Sequence, residues 1–202
     1  MSIPRVRFFT ISAYGMPVRI DYDQGPRADT SLEKISTLMP VYRADGRITP
    51  ATSSGQADGA AVCMIMSRER ADALGLTPLA RIHTIATGAC APTDLIYSAI
   101  PATHKALTCS GLDMQEFGLI EVNEAFACAP IALLREFKMP DACAEKVNVN
   151  GGACAIGHPV GASGARLVGT LALEMRRRGV QFGLATICGG MGQGAATILE
   201  SM

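Results

Sequence analysis

The 202-residue sequence predicts a layered α/β domain. Strand-like apolar runs alternate with helix-like stretches from Ala60 onward, a long amphipathic stretch near Ser163–Arg178 has helical period, and glycine-rich turns separate the two kinds of segment.

The first fifty residues read as irregular, with a polar turn over Ile20–Arg27 built on Asp21, Asp23, Gly25 and Pro26. Thr30 is placed to cap a short helix, Glu33 can reach back as a capping box, and Pro40 stops it. Ala44-Asp45-Gly46 reads as a turn and Thr49–Gly59 as a loop rich in Ser, Thr and Gly. Ala60–Met66 is a continuous small and apolar run, the pattern of a strand covered on both faces. Ser67 then caps a short helix ending near Gly75, with Pro78 beyond it. Arg81–Ala86 is expected as a strand and Pro101–Thr108 as a helix. Leu119–Val122 is expected as a strand leading into a helix over Glu124–Lys138, kinked at Pro130. Val168, Leu171, Ala172 and Met175 recur at helical spacing, Arg176–Arg178 suit the negative helix end, and Gly179 suits its C′ position. Val180–Ile187 and Ala195–Leu199 complete the expected strands.

Composition narrows the function classes. Eighteen basic residues balance eighteen acidic ones, which removes any electrostatic case for nucleic acid or an anionic membrane as main partner. The 49% hydrophobic content is ample for a buried core. The start lacks the apolar run of a signal peptide, no stretch is apolar enough to span a bilayer, and the seven cysteines are odd in number. A cytoplasmic protein with reduced thiols is therefore expected.

Three stretches are unusual for generic core. Asn123-Glu124-Ala125-Phe126-Ala127 follows a strand; the Asn123 carboxamide could orient a water or carbonyl, or simply cap a helix. Asn148–Gly152 and Gly157–Gly164 surround His158 with glycine, proline and serine at the mouth of the longest helix, which suits either a catalytic imidazole or a structural one. A phosphate loop would need a Gly-Lys-Ser/Thr ending, and none is there. Cys188–Gly194 puts a cysteine at a strand end before glycines whose N–H groups can face a substrate oxygen; the alternative is an inert buried thiol. Zinc ligation by Cys154, His158 and Cys188 has no CxxC or HExxH behind it, so no metal is expected.

Taken in order, these stretches resemble the thiolase family: its NEAFA block at Asn123–Ala127, its NxNGGxxxxGHPxGxSG block at Asn148–Gly164 and its CGGxGxG block at Cys188–Gly194. Pro26–Arg43 and Thr49–Ala61 are similar to further family segments, so the likeness runs from about Pro26 to the end. It implies a thiolase-like α-β-α layered fold, here the C-terminal half plus part of the loop domain. Residues 1–56 would be the loop-domain remnant, 57–78 a strand and helix of the N-terminal half, and 79–202 the C-terminal domain.

The resemblance also implies roles. His158 would activate a nucleophilic cysteine and, with a water held by Asn123, stabilise the thioester oxygen. Cys188 would be the acid/base at the α-carbon, and Gly190 would offer its N–H to an oxyanion. Ser54 would contact the pantetheine of coenzyme A, and Ala125 and Phe126 would line its tunnel. Acyl-CoA enters as substrate, and no cofactor is permanently bound. The family's nucleophile lies in a Cys-x-Ser-Gly segment, and none of the 202 residues forms one. The expectation is an acyltransferase half-site completed by an N-terminal-half thiolase chain, or a homo-oligomer. A non-catalytic CoA-binding or structural subunit is the alternative. Cys188-Gly189-Gly190 argues against a condensing enzyme of the ketoacyl-synthase type.

Overall fold

A computed structural model describes residues 8–11, 17–20, 22–139 and 145–202. Phe8–Ile11 (β1) and Pro17–Ile20 (β2) pair antiparallel, so the opening stretch holds a two-stranded ribbon where the sequence read as irregular. Helix α1 spans Leu32–Ser36 and ends before Pro40. Its cap is Ser31, not Thr30: the Ser31 hydroxyl accepts from the Lys34 N–H at 3.2 Å. Glu33 then sits in the first turn, where its charge complements the helix dipole instead of closing a capping box.

The strand expected over Ala60–Met66 does not form. Val62 and Met64 are 93% and 80% exposed. A strand needs a neighbour to take its backbone hydrogen bonds, and no described strand pairs with this run. Helix α2, Arg68–Ala73, follows as expected, with the Ser67 hydroxyl accepting from Arg70 N–H.

The main sheet is built from Arg81–Ala89 (β3), Leu119–Val122 (β4), Phe182–Cys188 (β5) and Gln193–Glu200 (β6), in the order β3-β6-β5-β4. β6 is antiparallel to both neighbours, while β4 and β5 are parallel. Parallel neighbours need a crossover, and Val160–Arg178 (α6) provides it. Ala99–Ser110 (α3) and Cys128–Glu136 (α4) cover one face of the sheet, and α6 covers the other, giving three layers. A short helix, Ala153–Ile156 (α5), precedes α6.

Helix α4 begins at Cys128 rather than Glu124. The backbone before it is engaged elsewhere: Phe126 bridges Ser53 in antiparallel fashion, and Ala127 N–H donates to Thr52 O at 2.9 Å. Pro130 therefore falls in the first turn, where an N–H has no intrahelical partner to lose, and the expected interior kink has no cause.

The alternation of β4 fixes what each face offers. Ile120 and Val122 pack with Leu133, Leu184 and Ile198 on the α3 and α4 side. Leu119 packs with Leu167, Leu171 and Met175 of α6. Residues two apart on a strand share a face, so Glu121 and Asn123 also point toward α6. Full burial of each of these α6 side chains contributes roughly 1.5–3 kcal/mol, which holds the helix firmly over the sheet end. Among the described residues, no helix is long and apolar enough to cross a membrane.

Candidate active site

Because α6 returns between two parallel strands, its N-terminus lies at the edge where β4 and β5 end. Asn123 is the first residue beyond β4; its N–H donates to Thr186 O at 3.0 Å, and the residue is fully buried. Cys188 ends β5, two residues past that Thr186 partner.

His158 enters the same edge from the loop before α6. Its backbone N–H donates to Gly55 O at 2.9 Å. The preceding Gly157 has φ +82, and a Cβ there would overlap the Ala57 methyl. Only glycine meets both demands. The loop around residues 55–57 thus acts as a wall behind the histidine.

The side-chain bonds of His158 fit an Nδ1–H tautomer. Nδ1 lies 2.6 Å from Ser163 Oγ, and that hydroxyl donates to Pro159 O at 3.1 Å. With its one proton given to Pro159 O, Oγ accepts from an Nδ1–H. Nε2 then carries the lone pair, and Asn123 Nδ2 lies 3.3 Å from it as donor. Burial, and secondarily the charge of Arg166, push the imidazole below its ordinary value, so the ring is neutral at physiological pH. Asn123 Oδ1 is buried without a hydrogen-bond partner among the described residues.

Beneath this edge, Asn148 closes the outer side of β4. Its carboxamide accepts from Val122 N–H at 2.8 Å and donates to Val122 O at 2.9 Å, as a neighbouring strand would. It also donates to Glu124 Oε1 at 2.8 Å. The second Glu124 oxygen accepts from the Cys154 N–H at 3.0 Å. Gly152 leaves room for that carboxylate, which a Cβ there would strike. Cys154 is pushed up to about 11 by burial and by Glu124, so it is an inert thiol.

Ser54, Ala125 and Phe126 form a second group. Both the N–H and the hydroxyl of Ser54 donate to Ala125 O, at 3.2 and 3.1 Å, beside the Ser53–Phe126 bridge. Cys188 is buried, and burial pushes its thiol up, against an opposing backbone hydrogen bond. Gly190 opens a short 3-10 turn, and a Cβ there would meet nothing within 4 Å. Among the described residues, no hydrogen bond joins Cys188 to His158, and no three His, Cys, Asp or Glu side chains converge as a metal site would need.

The sequence blocks contained three further contributors without singling them out. Ser163 sets the imidazole, while Glu124 and Asn148 hold the loops that carry it. The signal for Asn148 was its type, since Asn tolerates the positive φ of 46 found there.

Residues 76–201 match the family profile described as "Thiolase, C-terminal domain", and residues 8–69 match "Thiolase, N-terminal domain". The chain belongs to the thiolase family. It is 46% identical over 191 residues to a 3-ketoacyl-CoA thiolase of Yersinia pestis (strain Pestoides F), covering 94% of this chain and 49% of that protein. A 3-ketoacyl-CoA thiolase of Photorhabdus laumondii is 47% identical over 191 residues, with the same coverage of 94% and 49%. The crystal structure of the Bacillus anthracis acetyl-CoA acetyltransferase superposes with a TM-score of 0.88 at 37% identity, covering 98% of this chain and 49% of that one. Human mitochondrial 3-ketoacyl-CoA thiolase in complex with CoA gives a TM-score of 0.82 at 37% identity, covering 91% and 46%. The thiolase fold is thereby shown, and the chain spans about half the length of the curated relatives it matches.

Proposed function

We propose that this chain supplies the acid/base half of a thiolase-type acyl-CoA C-acyltransferase, acting in thiolytic cleavage of a 3-ketoacyl-CoA or in the reverse Claisen condensation. The observation that carries this reading is the hydrogen-bond chain Asn123–His158–Ser163–Pro159, which presents a neutral imidazole with its Nε2 lone pair on the site edge. Such a nitrogen is the acceptor a thiol nucleophile needs. That thiol comes from a polypeptide segment of the Cys-x-Ser-Gly form, in a partner chain or a longer polypeptide.

Once Nε2 holds the thiol proton, it donates toward the thioester oxygen together with a water oriented by Asn123. Gly190 N–H serves the oxyanion formed on the acylated cysteine. Cys188, protonated at rest because of its burial, gives its proton to the acetyl-CoA carbon in cleavage; as a thiolate it removes the α-proton in condensation. Ser54, Ala125 and Phe126 border the path of the pantetheine arm, a reading that rests on the family resemblance; the human relative was solved in complex with CoA. Coenzyme A is substrate here, and no permanently bound cofactor is required. In this reading residues 1–56 come from the loop domain, 57–78 from the N-terminal half, and 79–202 form the C-terminal domain; the exposed Val62, Met64 and Ile65 suit a strand awaiting its partner half.

The test separates the two proton carriers. With a Cys-x-Ser-Gly polypeptide added, Cys188→Ala should abolish exchange of the acetyl-CoA α-protons with solvent while acylation persists. Acylation lost with exchange preserved would reverse the roles. Absence of both in the unsubstituted assembly would favour a non-catalytic CoA-binding subunit.

A further inference from the structure

Two rungs connect β4 to α6, and only the upper one carries the hydrogen bonds described above. Glu121 stands two residues before Asn123 on the same strand face, and Arg166 stands three residues after Ser163 on the same helix face. The Arg166 guanidinium approaches Glu121, with Nη1 3.5 Å from Oε2. Both groups are largely withdrawn from water, with side chains 22% and 3% exposed.

This pair is loosely made. A tight guanidinium–carboxylate fork closes to about 2.7–2.9 Å through two bonds, whereas here Glu121 Oε2 and Arg166 Nη2 have no hydrogen-bond partner among the described residues. Of the four buried side-chain atoms in that condition, three belong to Glu121, Arg166 and Asn123, all at this one interface. Burial pushes the Glu121 carboxyl up to about 7 despite Arg166, with Glu124 and Glu174 adding to the rise. Below that pH the carboxyl is neutral and leaves the guanidinium charge uncompensated. Glu174, the one acid of α6, is already engaged by Arg177 and Arg178.

We propose that Arg166, set against the sheet beside Glu121, is a positioning residue whose fixed charge adds to the burial of the His158 imidazole in keeping the ring uncharged and ready to accept a proton. Its guanidinium stands one turn along α6 from the serine that holds Nδ1, and a fixed positive charge there opposes a second one on the ring. The proposal rests on the role assigned to His158 above, but its test needs no turnover.

The experiment is a titration of the full chain, labelled with 15N-histidine and followed by imidazole NMR, with His158→Gln assigning one of the three histidines. Arg166→Met should raise the His158 midpoint, while Arg166→Lys, which keeps the charge, should leave it near the unsubstituted value. Glu121→Gln should leave the midpoint unchanged or lower it. An unchanged midpoint in folded Arg166→Met, or a raised one in Glu121→Gln, overturns the proposal. Should Arg166→Met not fold, a raised midpoint in Arg166→Lys overturns it as well. Loss of thiolase activity in a reconstituted assembly with these shifts intact would refute the proposed function and leave Arg166 in its role.

Discussion

Substituting Gly157 by alanine tests how the histidine is held. The residue has φ +82, and its Cα faces the 55–57 loop so closely that a new Cβ overlaps the Ala57 methyl and comes within 3.3 Å of Gly55 O. Gly111, with φ 74, ψ 12 and nothing within 4 Å of an added Cβ, gives the cost of an ordinary left-handed alanine. Alanine costs about 1 kcal/mol at left-handed Gly111, and about 1–3 kcal/mol at Gly157, whose φ 82 and ψ 174 lie in a region essentially confined to glycine. Overpacking adds about 1–3 kcal/mol at Gly157 alone, along with strain on the His158 N–H bond to Gly55 O. Urea unfolding followed by circular dichroism should therefore place Gly157→Ala about 1–5 kcal/mol below Gly111→Ala. Equal losses in the two variants would refute the wall of residues 55–57 behind His158.

Asn148→Ala removes three hydrogen bonds to β4 and Glu124 and leaves alanine at φ +46, so it should cost about 3 kcal/mol in urea unfolding; Asn148→Gly should recover about 1 kcal/mol of that by relieving the backbone. Glu121 shapes the pH dependence: a carboxyl raised from 4.5 to about 7 binds more protons folded than unfolded, so stability declines as pH rises through that window and is level above it. Its share is roughly 3 kcal/mol, and Glu121→Gln should flatten that decline in denaturation midpoints; an unaltered slope between pH 4.5 and 7 would contradict the assignment.

Much of the architecture was legible because local signals and packing agreed. The apolar spacing of Leu171, Ala172 and Met175, with Gly179 behind them, marked α6, and the structure extends it only three residues earlier, to Val160. Agreement failed where pairing partners decide conformation. Ala60–Met66 has a strand's composition, yet a ladder requires a second strand. Glu124–Ala127 has helical character, yet its backbone bonds to the distant 52–54 segment. Of the candidate site residues, Asn123 and His158 do meet, and Ser54 does reach Ala125, while their roles belong to the proposed function. The imidazole tautomer was not legible in the sequence, because it depends on which partner Ser163 chooses for its single proton.

The central claim is that this chain provides proton transfer while a separate cysteine provides the nucleophile. Mass spectrometry after incubation with acetyl-CoA, with and without a Cys-x-Ser-Gly polypeptide, tests it most directly. The account predicts a covalent acetyl group on the added polypeptide, dependent on His158 and abolished by His158→Ala. A stable acetyl adduct on a cysteine of this chain alone would contradict it.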